Sequence, residues 1–72
     1  MKVLLVEDDR ALAEGLAAAL SNAGLLVEVA EDGRSADFLV STERYDVVIL
    51  DLGLPDGSGV QWLAGWRERG ID

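Results

Sequence analysis

Val47-Val48-Ile49-Leu50-Asp51, four aliphatic residues closed by an acid, repeats the plan of Val3-Leu4-Leu5-Val6-Glu7-Asp8 near the start of the chain. Short continuous apolar runs of this kind read as strands buried on both faces, the habit of parallel sheets. Two such strands in one parallel sheet bring their carboxyl ends to one edge, and with them Glu7, Asp8 and Asp51. Open α/β sheets place ligand sites on that edge. Three acids side by side raise one another's pKa unless a cation lies between them. The cluster therefore points to a hard-metal site with one carboxylate left free to react.

Helical periodicity fills the intervals. From Arg10, the positions Leu12, Leu16, Ala19, Leu20 and Ala23 recur at helical spacing in an Ala-rich segment. Asp8 or Asp9 can cap its start, Asp9 being the more natural cap than ligand, and Gly24 its end. Leu25 to Ala30 reads as a second strand, with Glu28 a polar break suited to a sheet edge. Glu31-Asp32-Gly33 is a turn. Ala36, Leu39 and Val40 then mark a short second helix, with Phe38 beside them. The segment from Leu52 to Gly59, with Gly53, Pro55 and Gly57, reads as a loop. Ser58 can cap a third helix that carries Val60, Trp62, Leu63 and Trp66 and ends at Gly70. The two tryptophans read as packing residues, and Glu31, Asp32, Asp37 and Glu43 as a solvated surface. The order βαβαβα implies an α/β fold with right-handed crossovers. Strand 47–50, the most continuously apolar, is expected to be central.

The chain has 72 residues, enough for one small domain. A chain of this size buries only about 60% of the surface its unfolded form exposes. Its formal net charge is −8, so it offers no basic patch, and no direct nucleic-acid binding by this segment is expected. It contains neither cysteine nor histidine, which removes disulfides, thiolate chemistry and imidazole ligands. No apolar run approaches the roughly 18 residues of a membrane span. Met1-Lys2 and the four apolar residues after it are too short for a secretory signal. A soluble, cytoplasmic location without membrane contact is expected.

Lys2-Val3-Leu4-Leu5-Val6-Glu7-Asp8-Asp9, the interval from Asp8 to Asp51, and the loop Asp51-Leu52-Gly53-Leu54-Pro55-Asp56-Gly57-Ser58-Gly59-Val60 together resemble the receiver domain of two-component response regulators. The nearest likeness is to the OmpR/PhoB branch, whose members carry a winged-helix DNA-binding domain after the receiver. The resemblance spans the whole chain and implies a flavodoxin-like, doubly wound parallel sheet truncated to βαβαβα. Residues 1–72 would form a partial receiver domain, strands 1–3 and helices 1–3, without strands 4–5, helices 4–5 or a DNA-binding domain. It implies Asp51 as phosphoacceptor. Mg2+ would be held directly by Asp8, through water by Glu7, and further by Asp51 and the backbone carbonyl of Gly53. It implies a sensor histidine kinase as partner and control of transcription by the full-length protein, a signalling role rather than an enzyme's. Phosphoryl transfer is mostly positioning and charge neutralisation, which an acid cluster holding a metal supplies. The Ser or Thr of strand four and the Lys of strand five, which contact the phosphoryl group in the family, have no counterpart in these residues.

Two other functions compete. One is a self-associating receiver fragment that cannot be phosphorylated. The other is a metal-dependent phosphatase with an Asp nucleophile, disfavoured because position 53, where such enzymes place a second Asp, is Gly. The family strand order 2-1-3-4-5 leaves the outer edge of strand 47–50 without a neighbour. A homodimer through that edge, in the order 2-1-3-3′-1′-2′, is therefore expected. Apolar residues of strands one and three beside the first helix are expected to form a bare surface.

Overall fold

A computed structural model describes residues 1–51 and 53–70. Leu52, where the loop reading begins, and Ile71-Asp72 lie outside the described residues. The elements are β1 (Lys2–Val6), α1 (Arg10–Asn22), β2 (Leu26–Ala30), α2 (Gly33–Thr42), β3 (Val47–Leu50), β4 (Gly53–Leu54), β5 (Gly57–Ser58) and α3 (Gly59–Glu68).

β1, β2 and β3 form one parallel sheet in the order β2-β1-β3. The order 2-1-3 implied by the resemblance is thus present, and the central strand is β1, not strand 47–50 as its apolar continuity suggested. Both runs are apolar throughout, but apolar continuity reports cover on two faces and not the number of neighbours. Val3, Leu4, Leu5 and Val6 are all buried, whereas Val47 and Ile49 of β3 are each 40% exposed. Successive strand residues face opposite ways. Leu4 and Val6 join Ala30, Ala36, Val40, Leu54 and Trp66 in the main core, with Val48 and Leu50 packed against it. Val3 and Leu5 face the side on which α1 lies, where Ala13 is buried. β1 contributes only covered residues to that side, and the apolar residues left exposed there are Val47 and Ile49 of β3 and Val29 of β2, with Leu12 and Leu16 exposed on α1.

Each helix starts on a polar side chain that accepts from its free first-turn amides. Asp9 accepts from the Leu12 amide at 3.1 Å and Asp32 from the Ser35 amide at 2.7 Å. Ser58 and Gln61 form a reciprocal capping box on α3. Gly24 follows α1 with φ at 90°, a left-handed conformation that glycine adopts without steric cost. The segment that reads as a loop contains a small antiparallel ladder, Gly53 opposite Ser58 and Leu54 opposite Gly57. Two residues per strand carry no periodicity, and so leave no sequence signal. Three acids assigned to a solvated surface are in fact engaged: Asp32 as the α2 cap, and Asp37 and Glu43 in contacts between elements. Asp37 accepts from Trp66 Nε1 at 2.8 Å and from Arg69 at 2.9 Å, tying α3 to α2. Glu43 pairs with Lys2.

The difference in burial between β1 and β3 has a measurable consequence. Leu4→Ala, in the closed core, is expected to cost about 2–5 kcal/mol. Ile49→Ala is expected to cost clearly less, because much of that side chain already meets solvent. Urea unfolding followed by circular dichroism compares the two, and equal losses would contradict this assignment of the centre.

Candidate functional site

The parallel register delivers the acids. Val6 stands opposite Ala30 of β2 and Leu50 of β3, so the three strands end level. The next backbone groups continue the ladder: the Glu7 amide donates to the Ala30 carbonyl at 2.9 Å, and the Asp51 amide to the Val6 carbonyl at 3.0 Å. Glu7 and Asp51 are thereby fixed on adjacent strand ends, with Asp8 one residue further. Each of Glu7, Asp8 and Asp51 offers a carboxylate oxygen, and these atoms lie within 4.8 Å of one another. Glu7 and Asp51 are half-buried and Asp8 is exposed.

Backbone amides orient two of the three. Glu7 accepts from the Asp9 amide at 3.1 Å, and Asp51 Oδ1 from the Gly53 amide at 3.0 Å. Gly53 thus meets the site through its N–H, at the start of β4. Asp9 turns its own side chain to the α1 cap and stays out of the cluster. The Gly53 amide holds the Asp51 carboxyl below the ordinary carboxylate value against the opposing pull of desolvation, and hydrogen bonding with Asp8 and Glu7 acts in the same direction. On Glu7 the Asp9 amide also works downward, but desolvation and the charges of Asp51 and Asp8 outweigh it, and this carboxyl is raised. Like charges in close contact separate in this way: Asp51 keeps its charge, and Glu7 holds a proton longer.

The donor set is all oxygen, carboxylate-rich and partly open to water. That chemistry suits a hard divalent cation that retains several waters, and not a soft thiolate or imidazole metal. An open groove leads away from Glu7 and Asp8 past Arg10 and Glu14 to Glu31. Lys2, the only lysine of the chain, bonds Glu43 at the opposite end of β1 and stays away from the acids.

One engaged residue near the site escapes a reading of the sequence. Asp56 accepts from the Gly33 amide at 2.7 Å and from the Arg34 amide at 2.9 Å. These contacts join residues 23 and 22 positions apart, and nothing local in Pro55-Asp56-Gly57 signals them.

The profile of the response regulator receiver domain matches residues 3–71. Over 69 residues the chain is 48% identical to the transcriptional regulatory protein PmrA of Pectobacterium parmentieri, covering 96% of this chain and 31% of PmrA. It is 39% identical over 71 residues to the virulence transcriptional regulatory protein PhoP of Salmonella typhimurium, covering 99% of this chain and 32% of PhoP. The chain therefore spans about a third of the length of these relatives. Its fold superposes on the receiver domain of a Francisella response regulator with a TM-score of 0.94 at 34% identity, covering 97% of this chain and 58% of the other. The response regulator TrrA of Thermotoga maritima, solved in complex with Mg2+–BeF, is similar with a TM-score of 0.90 at 31% identity, over 94% and 59% of the two chains.

A proton on Glu7 would oppose a divalent cation at the cluster, because it removes negative charge that the ion would meet directly or through water. Affinity is therefore expected to rise with pH until Glu7, raised above its ordinary value, is fully ionised, and then to level off. Calorimetric Mg2+ titrations at several pH values should show this, with protons released on binding at the lower ones. An affinity that does not change across the carboxylate range would contradict the cluster as the binding locus.

Proposed function

Because the chain belongs to the response regulator receiver family, we propose that it is the phosphoacceptor part of a two-component regulator of the OmpR/PhoB branch, with Asp51 receiving the phosphoryl group from a sensor histidine kinase. The observation that carries this reading is the juxtaposition of Glu7, Asp8 and Asp51 within 4.8 Å at the carboxyl edge of the sheet. In this reading Asp8 and Asp51 hold Mg2+ directly, Glu7 holds it through water, and the Gly53 carbonyl completes the protein ligands. The ion supplies charge neutralisation between the carboxylates and the incoming phosphoryl oxygens. The Gly53 amide engages one oxygen of Asp51 and keeps the carboxylate ionised. The other oxygen is the nucleophile: it forms the new bond to phosphorus as the phosphorus–nitrogen bond of the donor imidazole breaks, leaving an acyl phosphate. This is a signalling modification, not turnover of a substrate.

Residues 1–72 are accordingly proposed as a partial receiver domain that controls transcription within a longer, cytoplasmic regulator. The name of PmrA and that of PhoP support the transcriptional role. The described residues include no helix long and apolar enough to cross a membrane. Acidic composition supports a role without direct nucleic-acid contact by this segment.

The 72-residue chain is further proposed to form a homodimer through β3. Val47 and Ile49 stand 40% exposed on that strand, on the side of the sheet that carries the exposed Leu12 and Leu16. An apolar strand edge is a template for pairing with a second chain. A two-fold axis perpendicular to the sheet pairs β3 with its copy and keeps both α1 helices on one face.

Acetyl phosphate with Mg2+ is expected to add one phosphoryl group to the wild-type chain, seen by intact mass, and none to Asp51→Asn. The label should be short-lived, since Lys2 is held at the far end of β1. Asp8→Asn should weaken Mg2+ binding by at least about tenfold. Label retained in Asp51→Asn would overturn the assignment; a wild-type chain that takes no label would instead favour the competing reading of a self-associating fragment that cannot be phosphorylated. Light scattering should give twice the chain mass, returning to the monomer in Val48→Pro, which removes a strand donor; a wild-type monomer at high concentration would refute the dimer.

A further inference from the structure

The β4–β5 hairpin carries Gly53 beside Asp51, yet much of what holds it lies outside the acid cluster. Its strands have two residues each, and a ladder that short is not stable by itself. Leu54 anchors one strand in the core. The turn is anchored differently. The Asp56 carboxylate reaches the start of α2 and takes one amide on each oxygen, Gly33 at 2.7 Å and Arg34 at 2.9 Å. These amides belong to the first turn of the helix, where no intrahelical acceptor is available and the helix dipole favours an anion. Asp32 already caps the same helix from within, through the Ser35 amide. Asp56 therefore adds a connection and not a missing cap. Desolvation works against the Asp56 charge, but the two amides prevail and its carboxyl is held below the ordinary value.

Trp62 of α3 marks the same joint independently. Its indole lies so close over Gly33 that a Cβ there would come within 1.9 Å of Nε1, and one at Gly57 within 3.3 Å. Nε1 is buried without a hydrogen-bond partner, at a cost of about 1–3 kcal/mol. The ring is thus wedged between the start of α2 and the hairpin at the expense of its own hydrogen bond. α2, the hairpin and α3 meet here, and none of these contacts includes Glu7, Asp8 or Asp51.

We infer that Asp56 is a positioning residue for the acidic site: by clamping the hairpin turn to α2, it holds Gly53 where its amide bonds Asp51 and its carbonyl serves the proposed metal. The inference rests on the metal reading for the carbonyl and on the structure alone for the amide. Removing the Asp56 carboxylate frees the turn while Leu54, the sheet and the helix caps remain.

The test compares wild type, Asp56→Ala and Asp56→Asn by Mg2+ calorimetry, by the NMR shift and hydrogen exchange of the Gly53 amide without metal, and by thermal unfolding. Asp56→Ala is expected to weaken Mg2+ binding about tenfold, the scale of losing an outer-shell partner. It should also shift the Gly53 amide and speed its exchange. Asp56→Asn keeps one carbonyl acceptor and should recover part of both effects. If Asp56→Ala fails to fold, Asp56→Asn against wild type carries the comparison, with a smaller shift in the same direction. A variant that melts at a lower temperature but leaves the Gly53 amide and Mg2+ affinity at wild-type values would reduce Asp56 to a stability role and overturn the proposal. If wild type binds no Mg2+, the metal reading fails separately, and an unmoved Gly53 amide in the variants would still refute the positioning role.

Discussion

The bond from the Asp51 amide to the Val6 carbonyl, 3.0 Å long, is the constraint on which the site depends. It extends the pairing of β1 with β3 by one residue beyond Leu50 and places the reactive acid next to Glu7. A slip of one residue in that register would exchange the faces of β3. Val48 and Leu50 would leave the core and the carboxylate would leave the cluster together. Packing and chemistry are thus secured by the same hydrogen-bond ladder. The buried side of β3 stabilises the register that the acids require.

Charge is divided between the two ends of the sheet. At the carboxyl edge, three acids crowd together and split into a charged Asp51 and a more basic Glu7. At the amino end, Lys2 bonds Glu43, lies 3.8 Å from Glu28 and sits 4.9 Å over the Tyr45 ring. Tyr45 in turn donates to Glu28, and its hydroxyl is pushed up by burial and by that carboxylate. The cation is consumed far from the acids. What remains at the acidic edge is an excess of negative charge that a divalent ion can relieve. The loop side of that edge is held by backbone amides, Gly53 on Asp51 and the α2 amides on Asp56. Orientation by N–H groups adds no charge to compete with a metal.

The helix layers are uneven. One face carries α2 and α3 over a core that includes Trp66 and Leu54. The other carries α1 alone, with Val3, Leu5 and Ala13 covered but Val47 and Ile49 partly open. In so small a domain, exposed apolar area of this kind is a substantial share of what folding can bury. Strand 47–50, although as apolar as β1, is the outer strand of the three and keeps Val47 and Ile49 partly open on that face.

The sequence by itself determined the strand and helix order, the caps at Asp9 and Ser58, and the three acids that gather. Each of these is written in local patterns: continuous apolar runs, helical spacing, and a polar residue just ahead of a helix. Apolar content could not decide that β1 is central, because apolar residues look alike whether a strand has one neighbour or two; only the resemblance, with its strand order 2-1-3, implied it. Sequence could not show the hairpin from Gly53 to Ser58, which is too short for a period, nor Asp37 bonding Trp66. Least of all could it show Asp56 on the amides of Gly33 and Arg34 or the indole of Trp62 over Gly33. These contacts join elements far apart in the chain. They exist only once β3 has taken its place beside β1 and α2 and α3 have packed on one face, and tertiary structure alone brings a turn aspartate within 3 Å of a helix it does not precede.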